Sequence, residues 1–437
     1  LNDFVVLLRR NRNYRFTWGG QVVSEVGDHF NNIAVFSLAL ANTGSGFVVA
    51  GILIARAIPA MFAGPIAGVL LDRWDRKRIM ITSDVVRAGI AILFLLGIPS
   101  GRTWLLYLLS GLLMFASPFF TAGRASILPS IATRDELHTA NSLTQLTQWT
   151  TVTIGSFLGG ASVGSFGYKI AFLFNAASFL FSAACISRLS PAGGRSNGEQ
   201  GFRSERASLN EGQVVRPWHE YVEGLRYMRS SPLILGVGLV AVGWATGGGA
   251  AQILFSLFGE QVFHRGPNGI GVIWGCAGIG LICGALLANV IGRRIRFETY
   301  KRVISISYVI HGLTYILFSQ ARGFAMACLF IGMSRGAVAV SSVLNTAQLL
   351  RHVSDDFRGR VFSTIETWTW STMLISMALA GVASDHVSPR VIGAWSGAAS
   401  SCTALFWGWA NWTGRLPEPA FAGIAPEEVE VHGDPTV

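Results

Sequence analysis

Two carboxylates three residues apart, Glu25 and Asp28, stand in the middle of a segment long enough to span a bilayer. That spacing puts them on one face of a helix. A carboxylate at bilayer depth is costly unless it is paired, protonated or hydrated. An ionisable group held in such a place suits proton carriage. Asp28, with Glu25 second, is therefore the expected proton-coupling residue. The competing reading is a structural carboxylate bonded to a neighbouring helix. Asn31 and Asn32 follow on the same segment and are expected to line a cavity, with His29 read as structural.

Three other charges are embedded in apolar runs: Arg56, Arg335 and Glu366. Arg335 lies near the middle of its run. An isolated arginine there must face a cavity or pair with a carboxylate, Asp28 or Glu366 being the candidates. In a cavity it could bind an anionic group through both arms of its fork. Arg335 and Glu366 are accordingly expected at the substrate cavity. Asp84 and Arg87 are again three apart and read as a structural charge pair. Trp149, Trp244, Trp274, Trp368 and Trp370 fall deep within apolar runs, where they either form an adaptable cavity or pack between helices.

Composition says what must position these groups. Of 437 residues 51% are hydrophobic and 13% charged, against about 25% charged in a soluble domain. This is the balance of an all-α polytopic membrane protein. The net charge of +10 resides in alternate loops and not in a basic groove, so no nucleic-acid partner is expected. The five cysteines lie in apolar runs without metal-type spacing, so neither a metal nor a disulfide is expected. A Gly-x-x-x-x-Gly-Lys-Ser/Thr loop is absent, which argues against direct ATP driving. No catalytic constellation is visible, and an enzyme is not expected.

Twelve apolar runs can be drawn, at about 15–41, 46–71, 79–98, 104–123, 139–164, 168–188, 232–261, 267–291, 300–320, 324–349, 359–384 and 389–412. Basic residues crowd one set of loops, among them Arg9, Arg10, Arg73, Arg76, Lys77, Arg78, Arg296, Arg358 and Arg360. The opposite loops carry Arg102, Lys169, Arg265, Arg322 and Arg390. Both termini and the central loop are therefore expected in the cytoplasm. The expected domains are an N-terminal six-helix bundle at 1–188, a cytoplasmic linker at 189–230, a C-terminal six-helix bundle at 231–412 and a disordered cytoplasmic tail at 413–437. Within the linker, Trp218, Tyr221, Val222, Leu225 and Met228 recur at helical spacing, which predicts a short amphipathic helix.

The halves repeat weakly, Gly284 standing where Gly68 does while Ala288 replaces Asp72. Repeated halves around a midplane site are a transporter architecture. The run Gly68-x-x-x-Asp72-Arg73-x-x-Arg76-Lys77-Arg78 resembles the signature loop of the major facilitator superfamily. A narrower likeness is to the bacterial branch of macrolide exporters and the enterobactin exporter. It is carried by Asn11-Arg-Asn-Tyr-Arg-Phe, Trp18-Gly-Gly-Gln, Asp84-Val-Val-Arg87, Glu136-Leu-x-x-Ala-Asn141 and Gly224-Leu-Arg-Tyr-Met-Arg229. Asp75, where the commonest loop has glycine, agrees with that branch. The resemblance implies two pseudo-symmetric bundles of six helices rocking about a central cavity. It also implies a conformational latch built from Gly68, Asp72, Arg73 and Arg76 against Arg358 and Arg360.

The expected function is secondary transport without a bound cofactor: proton-coupled efflux of an amphipathic drug, macrolide or siderophore-like compound. The expected setting is the bacterial inner (plasma) membrane, where the protein meets its small-molecule substrate and lipids as a monomer. Export rests on the resemblance. The alternatives are a lysophospholipid flippase and a non-transporting sensor or interaction protein.

Overall fold

A computed structural model describes residues 2–99, 101–190, 217–292 and 295–419. Among these the chain is helical, without a strand. Fourteen α-helices follow one another: α1 (Asn2–Arg10), α2 (Arg12–Thr43), α3 (Gly46–Arg73), α4 (Arg76–Leu93), α5 (Thr103–Ile131), α6 (Arg134–Phe166), α7 (Tyr168–Ser187), α8 (Pro217–Ser230), α9 (Pro232–Leu257), α10 (Gly266–Gly292), α11 (Phe297–Gln320), α12 (Phe324–His352), α13 (Asp355–Ser384) and α14 (Pro389–Trp412). The expected amphipathic helix is α8. The rest of the expected linker, 191–216, lies outside the described residues, as does the expected tail from 420; its first part, 413–419, is described, with Leu416 buried and its carbonyl accepting from Lys301 at 3.1 Å.

Among the described residues eight helices are long and apolar enough to cross a membrane: α3, α4, α5, α7, α9, α10, α11 and α12. α2, α6, α13 and α14 are of similar length, at 32, 33, 30 and 24 residues. Their sequences are diluted by Gln, Ser, Thr, Gly and charged residues. For α2 and α6 the reason is position, since each turns polar residues toward the interior described below.

Local chemistry sets the helix ends. The Asp75 carboxylate accepts from the Arg78 amide at 2.7 Å and caps α4, so Asp75 has a structural reason of its own. Thr133 and Glu136 form a capping box that starts α6. Asn11 caps α2 and also donates to the Ile131 carbonyl at 2.6 Å and to Glu136 at 3.1 Å. The Tyr14 hydroxyl donates to the Ala140 carbonyl at 2.9 Å. Two motifs over a hundred residues apart are thus one junction between α2 and the α5–α6 turn.

α2 to α7 pack mainly among themselves, as do α9 to α14. The two groups meet along two seams, α6 on α10 and α3 on α13. On the first, Gly160 faces Gly271, Gly164 faces Asn268 and Gly278 faces Thr153. On the second, Gly46 meets Ser384 and Gly381 meets Ala50. Small residues let helix backbones touch and gain dispersion contact where lipid offers no hydrophobic contrast. Both seams lie toward one end of the molecule, the far end. There Ser45 donates to Asp385 at 2.8 Å, the Gln261 amide donates to the Gly44 carbonyl at 2.7 Å, and Ser37 donates to Glu260 at 3.3 Å. At the opposite, linker end, Gly64 and Gly68 on α3 and Gly359 on α13 have open space where a Cβ would stand. The two groups are therefore joined at the far end and apart at the linker end.

Candidate substrate cavity

Between the two groups lies a cavity of ≈ 380 Å³ walled by His29, Asn32 and Phe36 of α2, Arg56 of α3, Ser156 of α6, Gln252 of α9, Trp274 of α10 and Trp370 of α13. A second, of ≈ 290 Å³, is walled by Trp149, Trp244, Phe255, Trp274 and Arg335. The two share Val152, Gln252 and Trp274, so they adjoin across the boundary between the halves. Mostly apolar walls with a few fixed polar groups are the usual character of a small-molecule site.

In the first cavity the Arg56 guanidinium donates to the Asn32 carboxamide oxygen at 2.6 Å and lies 3.9 Å from the Met114 sulfur. Its Cζ is 5.9 Å from the Phe36 ring centre. Asn32 is thus both wall and orienting group. Asp28 sits one turn earlier on α2, with Oδ1 buried and without a hydrogen-bond partner. In the second cavity Arg335 is 7% exposed and stacks over Phe255 at 5.0 Å. It pairs with neither Asp28 nor Glu366 among the described residues.

Other expected site residues lie elsewhere. Asn31 is 1% exposed and lines neither cavity. It shares a helix face with Gly27, which approaches Ser178 and Asn175 of α7. Glu366 is exposed, outside both cavity walls, four residues before the wall residue Trp370. Glu25 is held in a network: it accepts from Gln21 at 2.7 Å and from Thr151 at 2.8 Å, and faces Arg124 at 3.5 Å. Those partners tie α2 to α5 and α6, the structural alternative for this carboxylate.

The latch residues are not together. Among the described residues Asp72 and Arg73 are exposed and make no hydrogen bond or ion pair. Arg76 donates to the Ser126 carbonyl at 2.9 Å. Arg358 pairs with Asp355 at 2.7 Å and donates to the Leu350 carbonyl at 3.0 Å. Arg360 pairs with Glu223 of α8 at 2.9 Å. A ring stack of Tyr227 on Phe357 at 4.5 Å and a hydrogen bond from Trp368 to Tyr221 at 3.0 Å also bind α8 to α13. Asp84 and Arg87, by contrast, form an ion pair wholly inside the first group, at 0% and 3% exposure. The Arg87 guanidinium lies 4.7 Å from the Phe120 ring and 4.4 Å from the Phe179 ring.

Arg56 is the wall residue that pattern reading undervalued. Its signal was present, a lone arginine among apolar residues of the second run, but nothing in the sequence joined it to Asn32. Among the described residues no three His, Cys, Asp or Glu side chains are grouped so as to hold a metal ion.

The chain is 25% identical over 356 residues to BacE, a candidate bacilysin exporter of Bacillus subtilis (strain 168), covering 81% of this chain and 84% of that one. It is 23% identical over 399 residues to macrolide efflux protein A of Streptococcus pyogenes, covering 89% and 93%. Its fold is similar to the crystal structure of a bacterial homologue of the iron transporter ferroportin in an inward-facing state. That likeness has a TM-score of 0.67 at 16% identity and covers 91% of this chain and 98% of the other. The family model of the Major Facilitator Superfamily matches residues 18–371, spanning both helix groups. The chain therefore belongs to the Major Facilitator Superfamily: it is a multi-pass membrane transporter and not an enzyme.

Proposed function

We propose that this protein is a proton-coupled exporter of an amphipathic small molecule, working by alternating access in a bacterial plasma membrane. Twelve long helices, α2 to α7 and α9 to α14, are its spans, arranged as two pseudo-symmetric bundles. The linker end is cytoplasmic, as the loop arginines favour, so the arrangement described above is inward-facing. The observation that carries this reading is the pair of adjoining cavities walled jointly by α2, α3 and α6 of one group and α9, α10, α12 and α13 of the other. A site shared by both halves changes its access when one half rocks against the other. Asp28 is the proton-coupling group in this scheme, since its buried Oδ1 lacks a partner and lies one turn from the wall residue Asn32. Efflux is supported by the relatives and not by the geometry alone.

The test uses purified protein in proteoliposomes, an imposed proton gradient and a panel of amphipathic compounds. Gradient-dependent movement of at least one compound is expected. Scrambling of lipid between leaflets with no movement of any compound would replace the exporter with a lipid transporter.

A further inference from the structure

The two cavities contain cations but no anion. Arg56 and Arg335 are wall residues, and no Asp or Glu lines either cavity. Arg56 spends one donor on the neutral Asn32 and lies against the Met114 sulfur. Arg335 has only an aromatic face, that of Phe255, and no hydrogen-bond or ion-pair partner among the described residues. A guanidinium carries five N–H donors. A buried cation without an anion is strongly destabilising, and in a membrane such groups mark ligand pathways. Asp28 does not neutralise the site: it lines neither cavity and forms no ion pair with Arg56 among the described residues. Two guanidiniums against one carboxylate leave the interior cationic. Around them stand Trp149, Trp244, Trp274 and Trp370, flat apolar faces suited to a bulky body.

We propose that the transported molecule is an amphiphile with an anionic head group, the head held by Arg335 in the second cavity and the aromatic or aliphatic body laid across Trp274 toward Arg56. Arg335 is the primary partner because its donors are unspent, while Arg56 adds a second positive field. The shared wall of Val152, Gln252 and Trp274 gives one molecule access to both cavities. The same arrangement disfavours cationic compounds, which would meet two like charges at close range. The assignment rests on the transport reading for its use of the site, but the charge selectivity is a property of the cavity alone.

Three probes that share a fluorophore and differ in charge make the test: dansylglycine (anionic), dansylglycinamide (neutral) and dansylcadaverine (cationic). Binding is read by fluorescence on full-length protein in phosphatidylcholine nanodiscs. Dansylglycine binds about tenfold more tightly than dansylglycinamide, the difference expected of one charge-assisted contact, and dansylcadaverine binds weakest. Arg335→Gln brings the first two within about twofold of each other. Arg335→Lys keeps the order of the three but narrows it, which separates loss of charge from loss of fold. Equal binding of the three, tightest binding of dansylcadaverine, no binding of dansylglycine, or a preference that survives in Arg335→Gln/Arg56→Gln overturns the inference. Transport is measured separately, in proteoliposomes under a proton gradient. Charge-selective binding with no movement of dansylglycine or of any compound in the amphipathic panel refutes the exporter and leaves the anion site standing. Movement of dansylcadaverine alone does the reverse.

Discussion

The guanidinium of Arg360 donates to the Glu223 carboxylate at 2.9 Å, tying α13 to the short helix α8. Both side chains are about one-third exposed. The bond holds a basic residue of the expected latch on the linker and away from Asp72. Glu223→Gln should free it and raise the population closed at the linker end. An ion pair of this exposure is worth under about 1 kcal/mol, so the shift should not exceed about fivefold. Distances between spin labels at positions 64 and 359, before and after the substitution, would measure it. An unchanged distribution would deny α8 a part in setting conformation.

Asp72 makes no hydrogen bond or ion pair among the described residues, so Asp72→Asn should leave the state described intact. The variant should still insert and fold. If Asp72 engages α13 near Arg358 when the linker end closes, the closed population should fall. Accessibility of engineered cysteines from each side of the membrane reports this, with increased labelling from the linker side expected.

The far-end seam leaves no room for a side chain. A Cβ on Gly160 would stand 2.8 Å from both the Gly271 Cα and the Pro267 carbonyl oxygen. Gly160→Ala should therefore push α6 off α10, at the roughly 1–3 kcal/mol typical of overpacking. Reagents applied from the far side should then reach Ser156, replaced by cysteine, faster than before. Gly68→Ala is the contrasting substitution, because Gly68 has open space around it in this state. It should leave far-side labelling alone and hinder only closure of the linker end.

Arg87→Ala would strand the Asp84 carboxylate at 0% exposure. Removing one partner of a buried pair costs about 3–5 kcal/mol, whereas removing both charges costs less. The melting temperature in detergent should fall further for Arg87→Ala than for the double variant Asp84→Asn/Arg87→Gln. Equal losses would mean that the two residues do not act as a pair.

Asp28→Asn keeps the shape of the side chain and removes its proton exchange. Movement driven by a proton gradient should drop to the level of empty vesicles, while substrate-for-substrate exchange persists. Gradient-driven movement at the original rate would exclude Asp28 from coupling.

The helices were largely legible because each long apolar run is also a helix. The fifth run, read from 139, begins at Arg134, and the fourth, read to 123, continues to Ile131. In both cases the helix outlasts its apolar part because caps and polar contacts, not hydrophobicity, end it. The site was less legible. α2 carries polar residues on several faces, and one residue turns a helix by about 100°. That single step separates Asn32 at the cavity wall from Asn31 against α7. Glu25 and Asp28 share a face, but among the described residues only Glu25 found partners, on helices whose placement no local pattern encodes. The pairing of Gly160 with Gly271 was equally hidden, since a lone glycine does not declare what it will touch.

α13 connects two places already described. Near one end Gly381 and Asp385 close the far side, and near the other Arg360 is held by α8. The 25 positions from Arg360 to Asp385 span about 37 Å of helix, more than the roughly 30 Å thickness of the hydrocarbon layer. The helix is thus a lever pivoted at the far end of the molecule and grasped at the linker end. Tilting it by about 10° would move the grasped end by about 6 Å over that length. Whatever pulls on α8 therefore bears on access to the cavity without entering it.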